Sequence, residues 1–295
     1  MQGLKIHGGG GVDAAPLVRA ALLGDFTSAE FADVRQQLKA DAEALAFATV
    51  ASLLEHVSGE ADIDLVLVAQ SRPGQWDGPW IDQLRRQAPL VRTLAVLGSW
   101  CEGETRTGTP LPADCRVFWH AFAAWWARQR QALATGRAAA WSYPVGEWQG
   151  AVGPPAAPRP KARAKRKGTA IVAAPTRESA ESIALALRVG GWSSVWVRPP
   201  DLLPDVYGAA VMVYDGGQLD SGELPVIAEL RERYGELPVV ALADFPMIDR
   251  TVAAGLCNAA VLGRPYLVED LLWAMETATR HVVASAAAAR CQRAG

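Results

Sequence analysis

The sequence predicts an α/β protein of two domains, each a five-stranded parallel sheet with helices on both faces. Three observations carry this. Short apolar runs alternate with helix-patterned stretches through residues 168–285, the rhythm of a doubly wound sheet. A less regular version of the same rhythm runs through residues 18–136. Between them, residues 151–167 read AVGPPAAPRPKARAKRK. Its prolines resist regular helix, and its like charges repel and extend the chain. The expected division is a flexible N-terminal stretch at 1–17, a first domain at 18–136 and a Pro/basic linker at 137–167. A second domain at 168–285 and an alanine-rich tail at 286–295 follow. Both domains read as divergent copies of one unit.

In the first domain, residues 20–23 predict a strand. Thr27 and Glu30 match a capping box, with Phe31, Val34 and Leu38 as the apolar stripe of the helix behind it. A strand is predicted at 47–50 and a short helix at 51–57. Residues 64–69 (DLVLVA) have the continuous apolar run of a buried strand. A helix at 80–87 and a strand at 93–98 follow. The Gly/Thr/Pro-rich stretch 99–113 stands where the second domain has a helix. A strand at 115–119 and a helix at 120–134 close the domain. In the second, strands are expected at 169–173, 194–197, 209–214 (AAVMVY), 237–242 and 259–262. Thr176 is the N-cap of the first helix, and Gly190-Gly191 stops it. Further helices are expected at 225–234, 247–255 and 268–280.

Composition narrows the function classes. Half of the 295 residues are hydrophobic and a fifth are charged, as in globular proteins. The net charge of −2 divides into −3 over residues 1–150, +6 over 151–168 and −5 over 169–295. Two acidic domains repel a phosphate backbone, so no direct nucleic-acid partner is expected. Six linker charges read as a solvated spacer. No apolar run approaches the roughly 18 residues a membrane span needs. Residues 1–11 lack an apolar signal core, and Gly8–Gly11 lacks the ending of a phosphate loop. Four scattered cysteines do not make a disulfide scaffold. A reducing, cytoplasmic setting is expected, with no membrane partner.

With these elements in place, residues 168–285 resemble the receiver domain of two-component response regulators, a flavodoxin-like fold. Asp215 ends the third strand, where that family carries its phosphoacceptor. Arg264-Pro265 matches the family's Lys-Pro pair after the fifth strand. The departures are equally specific. The family's two metal-holding acids fall at Ala173-Ala174-Pro175, and its switch hydroxyl falls at Ala243. Phosphoryl transfer to a carboxylate gathers negative charge and needs a hard cation held by carboxylates. Asp215 without those neighbours reads as a solvated strand-end carboxylate or helix cap. The first domain departs differently: Asp25 follows its first strand, its third ends in Ala69-Gln70 and its fifth in Trp119-His120. Neither domain is expected to complete the other across the linker.

Other groupings are weaker. Cys101, Cys115 and His120 lack metal-ligand spacing, so no metal or other cofactor is expected. Cys101 has Glu102 and Glu104 nearby but no positioned base. Arg72 and Arg106 sit on loops at the carboxyl ends of first-domain strands, where anions bind in doubly wound sheets. Trp76, Trp80, Trp100, Trp119, Trp125 and Trp126 concentrate in this domain. The adjacent pair Trp125 and Trp126 cannot both face inward on one helix, so one is expected in an exposed apolar patch. The reading is a non-enzymatic signalling or scaffold protein working through protein contacts, a histidine kinase or another signalling protein among them. The alternatives are a regulator phosphorylated on Asp215, and a small-molecule or anion sensor using the Arg72 and Arg106 loops. No helix-turn-helix is expected after residue 285, and the oligomeric state is left open.

Overall fold

A computed structural model describes residues 17–59, 62–143, 167–200 and 204–293. The expected N-terminal stretch, except its last residue, and most of the linker lie outside the described residues. The first domain runs β1 (Val18–Leu23), α1 (Ala32–Asp41), β2 (Ala42–Phe47), α2 (Val50–Ser58) and β3 (Leu65–Gln70). It continues with α3 (Pro79–Gln87), β4 (Arg92–Leu97), the single turn α4 (Glu104–Thr107), β5 (Cys115–Phe118) and α5 (Phe122–Ala134). The second runs β6 (Gly168–Ala173), α6 (Arg177–Val189), β7 (Trp192–Val197), β8 (Ala209–Asp215) and α7 (Glu223–Arg233). It ends with β9 (Val239–Asp244), α8 (Ile248–Leu256), β10 (Ala259–Arg264) and α9 (Val268–Arg293).

Each domain forms a five-stranded sheet, ordered β2-β1-β3-β4-β5 and β10-β9-β8-β6-β7. The paired strands are parallel throughout. Followed from the second strand, both give the flavodoxin-like order 2-1-3-4-5. All six residues of β3 are buried, and so is most of β8 and β9. That is what a sheet covered on both faces requires. Thr176 caps α6 by accepting from the Ser179 N–H at 3.2 Å, and Gly190 ends that helix.

Four expectations are corrected. The second strand lies at Ala42–Phe47, not 47–50. As an edge strand with mostly exposed side chains, it carries no buried pattern to mark it. The Thr27–Glu30 capping box does not form: Asp25 Oδ1 takes the Thr27 N–H at 2.8 Å, and Glu30 accepts from Ser99 N–H at 2.9 Å. Phe31, Val34 and Leu38 are nevertheless buried on α1. Trp125 and Trp126 are both buried, at 1% and 2% exposure, and neither forms an exposed patch. The reason lies just beyond the expected domain end. Trp141 comes from the stretch read as linker, stacks on Trp126 at 5.7 Å and covers it. Finally, α9 runs on to Arg293, past the expected end at 280, through an alanine-rich stretch of high helix propensity.

The domains meet along a seam. Arg128 on α5 pairs with Asp270 on α9, and burial pushes the Arg128 guanidinium below its usual value. Ser99 Oγ lies 3.1 Å from the Pro246 carbonyl. Gly263 on β10 is required by close approach, because a Cβ there would overlap the His120 ring. No helix among the described residues is long and apolar enough to cross a membrane.

Candidate functional site

In a doubly wound sheet the chain leaves the first strand in two directions, opening a crevice at the carboxyl ends of the strands. In the second domain this point lies between β6 and β8, and Asp215 stands at its centre. A crevice of about 500 Å³ opens there, lined by Ala174, Ser179, Asp215, Asp244 and Arg264 among others.

Asp215 is not solvated, contrary to the expectation for a strand-end carboxylate. Its side chain is 6% exposed, and both oxygens are taken. Arg264 Nη2 pairs with Oδ1, and the Ser179 hydroxyl donates to Oδ2. Ser179 lies in the first turn of α6, so its hydroxyl points back at the strand ends. Arg264 also uses its other nitrogen: Nη1 donates to the Gly216 carbonyl at 2.7 Å and to Asp244 Oδ1 at 3.2 Å. The planar guanidinium thus ties together the ends of β8, β9 and β10, as its fork of donors permits. Burial pushes the Arg264 guanidinium below its usual value.

The loop after β8 is closed in the same manner. Glu223, at the start of α7, accepts from the N–H groups of Gly217 at 2.7 Å, Gln218 at 2.9 Å and Leu219 at 2.6 Å. Successive backbone N–H groups form a natural anion cradle. Here the protein's own carboxylate fills it. Beside it, burial pushes the Tyr214 phenol up to about 12.

A magnesium ion, which the family resemblance implies, does not fit these residues. Ala173 and Ala174 at the end of β6 offer no carboxylate, Ala243 offers no hydroxyl, and a guanidinium already sits on Asp215. No group of three or more His, Cys, Asp or Glu among the described residues could hold a metal. Arg264, Pro265, Ala243 and Ala174, the positions that the resemblance singles out, lie at the Asp215 end of the sheet.

The matching crevice of the first domain is filled by side chains. Trp76 folds over Gly24, donating to the Ala69 carbonyl at 2.9 Å. Gly24, at φ +100°, leaves the room that this ring takes. Gln70, which ends β3, donates to the buried Glu104 at 2.7 Å, and Glu104 pairs with Arg116. Arg72 and Arg106 are exposed and make no ion pair or side-chain hydrogen bond among the described residues.

Sequence reading missed Ser179, Asp244, Glu223 and Arg116, and it named Trp76, Gln70 and Glu104 without the contacts they make here. Only Ser179 left a usable signal, three residues after a helix cap beside a strand end. The seam adds one residue to the surroundings of this site. Glu102 of the first domain helps wall a second crevice of about 630 Å³ that also contains Asp215, Asp244 and Arg264. The first domain therefore does reach the second domain's site.

The thiols are buried rather than poised. Cys101 Sγ donates to the Gln70 carbonyl at 3.3 Å, and burial pushes both the Cys101 and Cys115 thiols up to about 12. Neither is expected to react with iodoacetamide in the folded chain at pH 8, because the thiolate is the nucleophile. Peptide mapping should find both modified only after denaturation; native labelling of either would contradict the burial described.

No family model matches this chain, and no curated protein matches it. Among solved structures it is similar to a response regulator protein from Burkholderia pseudomallei with a phosphorylated aspartic acid, calcium ion and citrate. The identity is 23%, over 40% of this chain and 72% of that one, with a TM-score of 0.33. It is also similar to a putative two-component system response regulator/GGDEF domain protein. There the identity is 11%, over 90% and 98% of the two chains, with a TM-score of 0.30. A third is the E. coli RcsC C-terminus containing a linker region and phosphoreceiver domain, 12% identical over 98% and 100%, with a TM-score of 0.27. Likeness at this level carries no weight on function; the sheet order itself establishes the fold.

Proposed function

We propose that this chain is a non-enzymatic signalling protein of receiver-like build, in which the phosphorylation site has become a fixed structural knot. One observation carries the reading: both oxygens of Asp215 are engaged, by Arg264 and Ser179, with no second carboxylate at the end of β6. A carboxylate attacks a phosphoryl group through a free oxygen lone pair, beside a cation that neutralises the gathering charge. Here each oxygen already has a partner, and the fixed guanidinium occupies the cation's side. Signal output then rests on protein contacts made by the two domains, with other signalling proteins as the partners, in the reducing cytoplasm that suits free buried thiols.

The test is incubation of the full chain with acetyl phosphate and Mg²⁺, followed by intact-mass measurement. The expected result is no added phosphoryl group. A gain of one, lost in Asp215→Asn, would establish a working response regulator instead and defeat the proposal.

A further inference from the structure

The seam between the domains forms a half-open cavity of about 530 Å³, a size typical of small-molecule sites, which favour domain interfaces. Its walls come from α1 and α5 on one side and from α8, β10 and α9 on the other. Trp119, Phe122 and Trp273 give it an aromatic lining. Two polar groups in that lining are buried without a hydrogen-bond partner among the described residues. Thr251 Oγ1 is one. The other is His120, whose side chain is 6% exposed and whose ring nitrogens both lack a hydrogen bond, with Glu102 Oε1 3.6 Å from Nε2.

The His120 ring is held where it is. It stacks on Phe118 with centroids 5.6 Å apart, and Gly263 leaves it the space a Cβ would take. Buried polar atoms are normally satisfied, so two orphans on one cavity wall point to a missing partner. The charge balance says which kind. The wall contains Asp33 and no lysine or arginine, which disfavours phosphates and carboxylates.

We propose that this cavity binds an uncharged aromatic small molecule bearing a hydroxyl or ring N–H. Its flat body lies among the three aromatic rings, and its polar edge meets His120 and Thr251. Because both domains supply walls, such a ligand holds the two together and favours their docked arrangement. This stands independently of the state of Asp215.

The test is titration of the full chain with indole and, separately, phenol, following the His120 ring and Thr251 methyl resonances by NMR. Saturable shifts at both residues are expected with at least one probe. Thr251→Val should weaken binding of that probe about tenfold, the scale of one lost hydrogen bond. Ala123→Trp, which fills the cavity from α5, should abolish it with the circular dichroism unchanged. Absence of saturation by either probe overturns the proposal, as does undiminished binding in Ala123→Trp. Should that variant not fold, undiminished binding in Thr251→Val overturns it equally.

Discussion

Replacing Trp126 with alanine is expected to cost the first domain about 4 kcal/mol, the range for deleting a fully buried large aromatic side chain. Three contributions add. The ring stacks on Phe122 at 5.8 Å and on Trp141 at 5.7 Å, both nearly parallel, and its indole N–H donates to Asp41 Oδ2 at 3.1 Å. Its loss opens a void between α5 and the 3₁₀ turn Ala140–Ser142, and these surroundings cannot readily collapse. Trp126→Phe keeps most of the packing and loses the hydrogen bond, so about 1–2 kcal/mol is expected there. Urea denaturation followed by circular dichroism measures both. A loss below about 1 kcal/mol for the alanine variant would mean that the Trp125–Trp126–Trp141 cluster is not closed in solution.

That cluster also shows where sequence reading stops. Adjacent residues on a helix point about 100° apart, so one tryptophan facing out was the natural expectation. It fails because a third tryptophan, fifteen residues on, folds back over the second. Sequence spacing along one element cannot reveal a lid that arrives from another. The misplaced capping box has the same cause: Glu30 serves Ser99, 69 residues away, rather than its own helix. Elements buried on both faces were readable because their composition alone marks them. DLVLVA and AAVMVY need no partner to be recognised as central strands. The exposed edge strand β2 was not readable, since AEALAF is alanine-rich and mostly solvent-facing, a composition that suits a helix as well as a strand. At the site the positions were legible and the geometry was not. Asp215, Arg264 and the alanines at 174 and 243 could be placed at strand ends from topology. That the arginine's charge lies on the aspartate, with Ser179 closing the other oxygen, depends on side-chain directions that spacing does not fix.

Replacing Arg264 with methionine tests that geometry, and about 3 kcal/mol of destabilisation of the second domain is expected. The magnitude follows from what remains behind. Asp215 is 6% exposed, so removing its cation leaves a buried carboxylate with only Ser179 to offset its charge. The Gly216 carbonyl and Asp244 lose their donor at the same time. Arg264→Lys should recover part of the loss, because an ammonium restores the charge but cannot span three acceptors with a planar fork. The double variant Arg264→Met with Asp215→Leu should lie within about 1 kcal/mol of the wild type, since removing both charges removes the desolvation cost together with the attraction. Urea denaturation of these proteins together with the single Asp215→Leu variant, followed by circular dichroism, gives the coupling energy directly. If the single methionine variant loses less than about 1 kcal/mol, or the double variant is as unstable as the single, water rather than Arg264 satisfies Asp215. The carboxylate would then be free to react, and the reading of this site as a fixed knot would fail with it.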